Sequence, residues 1–122
     1  MHLLLVEDSD LVARAVVRVL RRDFEVLRAD DGEAAREILA APGAAFDLIL
    51  SDVTMPRLDG LGLLRWIQTE RPELLRRVLF MTADPLCRAA VEIGQAHEHP
   101  ILTKPVTRAM IRQLIETIGR RV

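Results

Sequence analysis

Residues Phe46-Asp47-Leu48-Ile49-Leu50-Ser51-Asp52-Val53-Thr54-Met55-Pro56 decide how this chain is read. The run 46–50 is apolar except for Asp47 and has the length of a strand buried on both faces. It leads into a carboxylate, Asp52, and Met55-Pro56 then breaks the chain. A strand with no polar face must be covered on both sides, so helices are expected above and below it.

Working outward, the same pattern recurs. Residues 3–6 (Leu-Leu-Leu-Val) form a fully apolar run, and Ser9 or Asp10 can cap a helix carrying Val12, Val16, Val19 and Leu20 on one face. A weaker strand at 24–27 has charged neighbours, as a sheet edge would. Asp30-Asp31-Gly32 is turn chemistry, followed by a helix with Ala34, Ala35, Ile38 and Leu39 that Pro42-Gly43 stops. Leu61, Leu64 and Ile67 begin a third helix, with Pro72 beyond its end. Residues 78–81 read as a fourth strand. Asp84-Pro85 has the N-cap and first-turn signature of a fourth helix bearing Cys87, Ala90, Val91 and Gly94. Ile101-Leu102 is a short fifth strand, and Thr107 caps a last helix with Ile111, Leu114, Ile115 and Ile118 at helical spacing. Five βα units in succession predict an α/β fold: a doubly wound, five-stranded parallel sheet with five helices. Right-handed crossovers favour the flavodoxin-like strand order 2-1-3-4-5.

Composition narrows the function. The 122 residues are expected to form a single domain, 1–122, with 50% hydrophobic and 29% charged residues, an ordinary globular balance. A net charge of −1 and scattered arginines argue against direct nucleic-acid binding. The lone Cys87 cannot close an internal disulfide, and no apolar run approaches the roughly 18 residues that span a bilayer. A cytoplasmic protein with no membrane contact is expected. Trp66 and three Phe leave little aromatic surface for stacking on bases or sugars. His97 and His99, in a polar stretch around Glu98, read as solvated loop.

In open parallel sheets, ligands bind beyond the carboxyl ends of the strands. Glu7 and Asp8 follow the first strand, Asp52 the third, Thr82 the fourth and Lys104 the fifth. Taken singly, Glu7 and Asp8 are also what a helix N-terminus attracts. Thr82 is equally what caps a helix, and Asp84 reads as an N-cap. Together, three acids, a hydroxyl and an ammonium converge on one sheet edge. Three clustered carboxylates repel one another, and a divalent cation relieves the conflict. Oxygen-only ligands at an open site favour Mg²⁺. One carboxylate can then attack phosphorus while metal, lysine and hydroxyl share the developing charge, which describes a phosphoryl-acceptor site.

The order of Val6-Glu7-Asp8, then 51–56 with Asp59-Gly60, then Met81-Thr82-Ala83, then Lys104-Pro105 resembles the receiver domain of two-component response regulators (the CheY-like fold) over nearly the whole chain. The resemblance implies that Asp52 is phosphorylated and that Asp8 holds Mg²⁺ directly. Glu7 would do so partly through water, with the main-chain carbonyl of Thr54 as a further ligand. It implies that Lys104 pairs with the incoming phosphoryl group, that Thr82 moves toward it, and that Lys104-Pro105 is a cis bond. The donor would be the phosphohistidine of a histidine kinase or phosphotransfer protein. The domain would be regulatory rather than an enzyme in its own right, beyond its own phosphorylation and slow dephosphorylation. It would be a monomer or weak dimer through the fourth helix, fifth strand and fifth helix. Pro100 and the residues after it are similar to receivers attached to hybrid histidine kinases. Ile101 departs from the family, where Tyr or Phe often stands three residues before the lysine, so the usual aromatic coupling is missing.

Rival readings fit less well. A haloacid-dehalogenase-type phosphatase wants a second Asp where Thr54 stands, and a flavin-binding domain would find Glu7-Asp8 where its phosphate loop belongs. A pseudo-receiver would lack an acid or the lysine. The basic residues sharpen the choice: 16 are Arg, and Lys104 is the one Lys. Arg is a planar fork, whereas Lys is a compact charge on a slim stem. Lys104→Arg is therefore expected to keep the charge yet impair phosphorylation or its readout, measured as phosphoryl uptake from a small phosphodonor; wild-type behaviour would make the single lysine a coincidence.

Overall fold

The computed structural model describes residues 1–97 and 99–120, without the side chains of 114 and 117–120. Glu98 and the side chains of Leu114 and Ile118 thus lie outside the described residues. The strands are β1 (His2–Val6), β2 (Glu25–Ala29), β3 (Leu48–Asp52), β4 (Val78–Thr82) and β5 (Ile101–Thr103). The helices are α1 (Asp10–Leu20), α2 (Gly32–Ala40), α3 (Gly60–Glu70), α4 (Arg88–Gln95) and α5 (Arg108–Arg120). All strand pairs are parallel, and the sheet order is 2-1-3-4-5.

Alternation along the strands splits the core in two. Leu4, Val6, Ile49, Val78 and Phe80 face α2, α3 and α4, where they meet Ala35, Leu39, Leu63, Leu64, Ile67 and Ile93. Leu3, Leu5, Leu48, Leu50, Leu79 and Met81 face α1 and α5, meeting Ala13, Val16, Leu20 and Ile111. Each fully buried aliphatic side chain contributes on the order of 1.5–3 kcal/mol. β3 and β4 are buried along their whole length because both faces are covered.

Four helices start where a side chain accepts an orphan amide. Ser9 Oγ accepts from Val12 N at 3.3 Å, Asp31 Oδ1 from Ala34 N at 2.8 Å, Asp59 Oδ1 from Gly62 N at 2.8 Å and Thr107 Oγ1 from Met110 N at 3.2 Å. The capping residue of α1 is thus Ser9, and Asp10 lies within the helix.

Three elements differ from the sequence expectation by more than one residue, while β1, β4 and β5 each extend one residue further than expected. β2 covers 25–29 instead of 24–27 because its register with β1, from His2↔Glu25 to Val6↔Ala29, sets its ends, while Phe24 turns into the core. β3 is displaced two residues onward for the same reason: Leu3 of β1 pairs with Leu48, and Met81 of β4 with Asp52. The fourth helix begins at Arg88, not at Asp84-Pro85. Its N-cap is Cys87, which makes no side-chain capping bond, while Asp84 Oδ1 accepts from Leu86 N at 3.1 Å inside a preceding turn. Cys87 is accordingly half-buried at a helix end and only packs against the core. A 3-10 helix at Pro72–Arg77, led by Pro72, is an element the apolar periodicity did not announce.

One glycine sets how closely α3 meets the end of β3. Gly60 N donates to Val53 O at 2.8 Å, and a Cβ there would stand 2.7 Å from the Asp52 carbonyl oxygen and 2.9 Å from Val53 Cα. Those obstacles are backbone and cannot swing aside. Gly60→Ala is expected to cost about 1–3 kcal/mol in urea unfolding, by overpacking; an unchanged midpoint would contradict the close approach.

Candidate functional site

The sheet delivers its chemistry to the carboxyl edge. Glu7 and Asp8 follow β1, Asp52 is the last residue of β3, Thr82 the last of β4, and Lys104 follows β5. One carboxylate oxygen from each of Glu7, Asp8 and Asp52 lies within 4.8 Å of the other two. Glu7 and Asp52 are buried at 1% and 6% exposure, and Asp8 is exposed. Lys104 Nζ donates to Glu7 Oε1 at 2.8 Å and to Asp52 Oδ2 at 3.1 Å, bridging residues 97 and 52 positions away in sequence.

Backbone and side-chain bonds hold these groups. Glu7 N donates to Ala29 O at 3.1 Å, and its carboxylate Oε2 accepts from Ser9 N at 3.1 Å. Val53 N donates to Met81 O at 3.0 Å, and Lys104 N to Thr82 O at 2.8 Å, so strand pairing extends up to the site itself. The Lys104–Pro105 peptide bond is cis. Thr54 stands two residues past Asp52, exposed in the bend after β3. The Thr82 hydroxyl donates to Asp84 O and accepts from Asp84 N, both at 3.1 Å, so its two hydrogen bonds are to its own loop.

Two contributors carry no signal in the sequence. Ser51 Oγ, fully buried, donates to the Asp52 carbonyl at 2.9 Å. Arg28 donates to the Glu7 carbonyl from Nε at 3.1 Å and from Nη2 at 3.0 Å, and it also pairs with Asp10 at 2.7 Å. It thereby braces the loop bearing two of the three acids. In sequence it is one arginine among sixteen.

Electrostatics reveal a deficit. Partial burial pulls the Lys104 ammonium toward deprotonation, but hydrogen bonds to Glu7 and Asp52 and their charges outweigh it and hold the group above the usual lysine value. Asp8 is pushed up, first by desolvation and then by its hydrogen bond with Glu7. Three carboxylates face a single ammonium, leaving two formal negative charges uncompensated when all are ionised. A hard divalent cation suits that balance and that all-oxygen donor set, and Mg²⁺ suits a site with an open side.

Fold and site together place the chain in a family. Residues 3–116 match the response regulator receiver domain, and the chain belongs to that family: it is a phosphoacceptor signalling domain of two-component systems. The chain is 30% identical over 125 residues to the chemotaxis protein CheY of Pseudomonas aeruginosa, covering 100% of this chain and 98% of that one. It is 41% identical over 116 residues to the sensor kinase CckA of Brucella abortus, covering 94% of this chain but only 12% of that much longer protein. Among solved structures, the receiver domain of the hybrid histidine kinase CckA superposes with a TM-score of 0.70 at 31% identity, covering 97% of this chain and 98% of that one. The receiver domain of a signal transduction histidine kinase from Syntrophus aciditrophicus gives 0.81 at 27% identity, covering 99% and 91%. No helix among the described residues is long and apolar enough to cross a membrane.

The raised Asp8 value has a consequence for stability. The folded carboxyl keeps its proton more readily than the unfolded one, so its contribution favours folding at low pH and is lost as pH rises through the folded value. In metal-free buffer at neutral pH, Asp8→Asn is therefore expected to be more stable than the parent. The advantage should fade as pH falls toward the ordinary Asp value of 3.8. Urea melts at the two pH values check this, and a less stable variant at neutral pH would contradict it.

Proposed function

We propose that Asp52 is the phosphoryl acceptor, that Glu7, Asp8, Asp52 and the Thr54 carbonyl hold Mg²⁺, and that residues 1–122 form one receiver domain. The observation carrying this reading is the meeting of three carboxylates within 4.8 Å with Lys104 Nζ 3.1 Å from the Asp52 carboxylate. When bound, the metal supplies charge neutralisation for the acids and for the transferring phosphoryl oxygens.

The chain's own groups do the rest. Strand β3 and the close packing of Gly60 hold the Asp52 carboxylate at the sheet edge with little freedom. One of its oxygens attacks phosphorus, the P–N bond to the donor imidazole breaks, and the electron pair leaves with the imidazole. Lys104, now divided between Glu7 and Asp52, turns one N–H toward a phosphoryl oxygen, which its flexible stem permits. The Thr82 hydroxyl trades its bonds to Asp84 for one to the phosphoryl group, and the loop after β4 moves with it. The reaction is the domain's own phosphorylation, with slow hydrolysis to follow.

The donor is a histidine kinase or phosphotransfer protein in the cytoplasm. A mostly apolar groove of about 490 Å³ between α1 and the segment after β5, with Lys104 and Leu11 in its wall, lies open beside the site for such a partner. The domain acts as a monomer or weak dimer through α4, β5 and α5. Incubation with acetyl phosphate and Mg²⁺ is expected to add one phosphoryl mass, which Asp52→Asn abolishes and EDTA prevents. Uptake that persists in Asp52→Asn would move the acceptor elsewhere.

A further inference from the structure

We propose that the surface formed by α1 and the start of α5 is a binding site for a linear oligophosphate, separate from the acid cluster. In sequence the arginines look dispersed, but the fold collects six of them. Arg14, Arg18, Arg21 and Arg22 project from α1 and the turn after it, all exposed, and none of their guanidinium groups is in a salt bridge or hydrogen bond among the described residues. Arg108 enters from the first turn of α5 and Arg28 from β2.

Two adjoining depressions result. One, of about 410 Å³, is walled by Arg18, Arg21, Arg22 and Arg108 over a floor of Val19 and Val106. The other, of about 300 Å³, shares Arg18 and Arg21 and adds Arg14 and Arg28. The acids nearby are already engaged. Asp10 pairs with Arg28 at 2.7 Å, and Asp23 takes Arg108 through both oxygens at 3.0 and 3.2 Å. Arg14 and Arg22 feel these acids only at longer range.

Arg14 and Arg18, one helical turn apart on α1, are a like-charge pair that a bound anion would relieve. Arg18, Arg21 and Arg22 gather at the carboxyl end of α1, where the macrodipole favours cations, and Asp23 compensates Arg108. The whole chain carries a net charge of −1, so the accumulation is local.

The chemistry of the walls selects the ligand. The free guanidinium forks are those of Arg14, Arg18, Arg21 and Arg22, and such forks match phosphate oxygens two at a time, while Arg28 and Arg108, held by Asp10 and Asp23, add positive charge to the walls. A chain of phosphates puts a charge on every link, whereas an extended acidic peptide spaces same-side carboxylates about 7 Å apart. No exposed aromatic ring lies in either depression, which leaves a nucleic-acid strand without a stacking platform. Inorganic polyphosphate and the triphosphate of a nucleotide share the required chemistry.

Calorimetric titration of the whole protein, metal-free and at low salt, with sodium tripolyphosphate and separately with ATP tests this. Both are expected to bind, and Arg18→Gln/Arg22→Gln should weaken both by about tenfold or more. The same variant should take up phosphoryl from acetyl phosphate and Mg²⁺ as the parent does, which shows that it folds and that the acid site is intact. Equal affinities would assign the phosphate chain alone, and tighter ATP would assign a nucleotide. Absence of tripolyphosphate binding, or equal binding by the variant, overturns the proposal. So does tighter binding of a poly-glutamate peptide or a DNA duplex, which would hand the surface to an acidic protein or to nucleic acid.

Discussion

A single ammonium group, Lys104 Nζ, touches two buried carboxylates, one near the start of the sequence and one in its middle. A parallel sheet makes this meeting possible, because every strand points its carboxyl end the same way. It also makes it necessary, because Glu7 and Asp52 are too buried to rely on water for their charge. Removing one partner of such a group strands the others, so the loops after β1, β3 and β5 are tied to one electrostatic centre. That centre is under-neutralised, a balance that a divalent cation suits and on which the proposed phosphoryl transfer rests.

Much of this was legible in the sequence, for a reason visible in the residues. Apolar runs without a polar face admit one kind of sheet, and that sheet tells where to look for chemistry. Reading off the residue after each run therefore assembled Glu7, Asp8, Asp52, Thr82 and Lys104 before any contact was known. The strand order and the cis Lys104–Pro105 bond agree with the expectation.

What stayed hidden depends on partners distant in sequence. The ends of β2 and β3 follow from register with β1, not from their own apolarity. Asp84-Pro85 carries a sound helix signature, yet Thr82 occupies both backbone groups of Asp84 and the helix waits until Arg88. Ser51 and Arg28 support the site through bonds to backbone carbonyls, which no residue pattern encodes. The arginine surface was only partly legible: Arg14, Arg18, Arg21 and Arg22 share a helical spacing in the sequence, whereas Arg28 and Arg108 join them only through the fold.

The bonds between Thr82 and Asp84 also bear on signal fidelity. A hydroxyl with both hydrogen-bonding roles already filled has little to gain from leaving, so under the role proposed for Thr82 these bonds favour the resting loop. A ligand shifts such an equilibrium only by its preference for one state over the other, and a shift from mostly off to mostly on requires about 5.5 kcal/mol of preference. In the proposed switch, spontaneous excursions of Thr82 would then add little background. The phosphoryl group would have to offer the hydroxyl a better partner than Asp84 does, and that margin would separate a signal from noise.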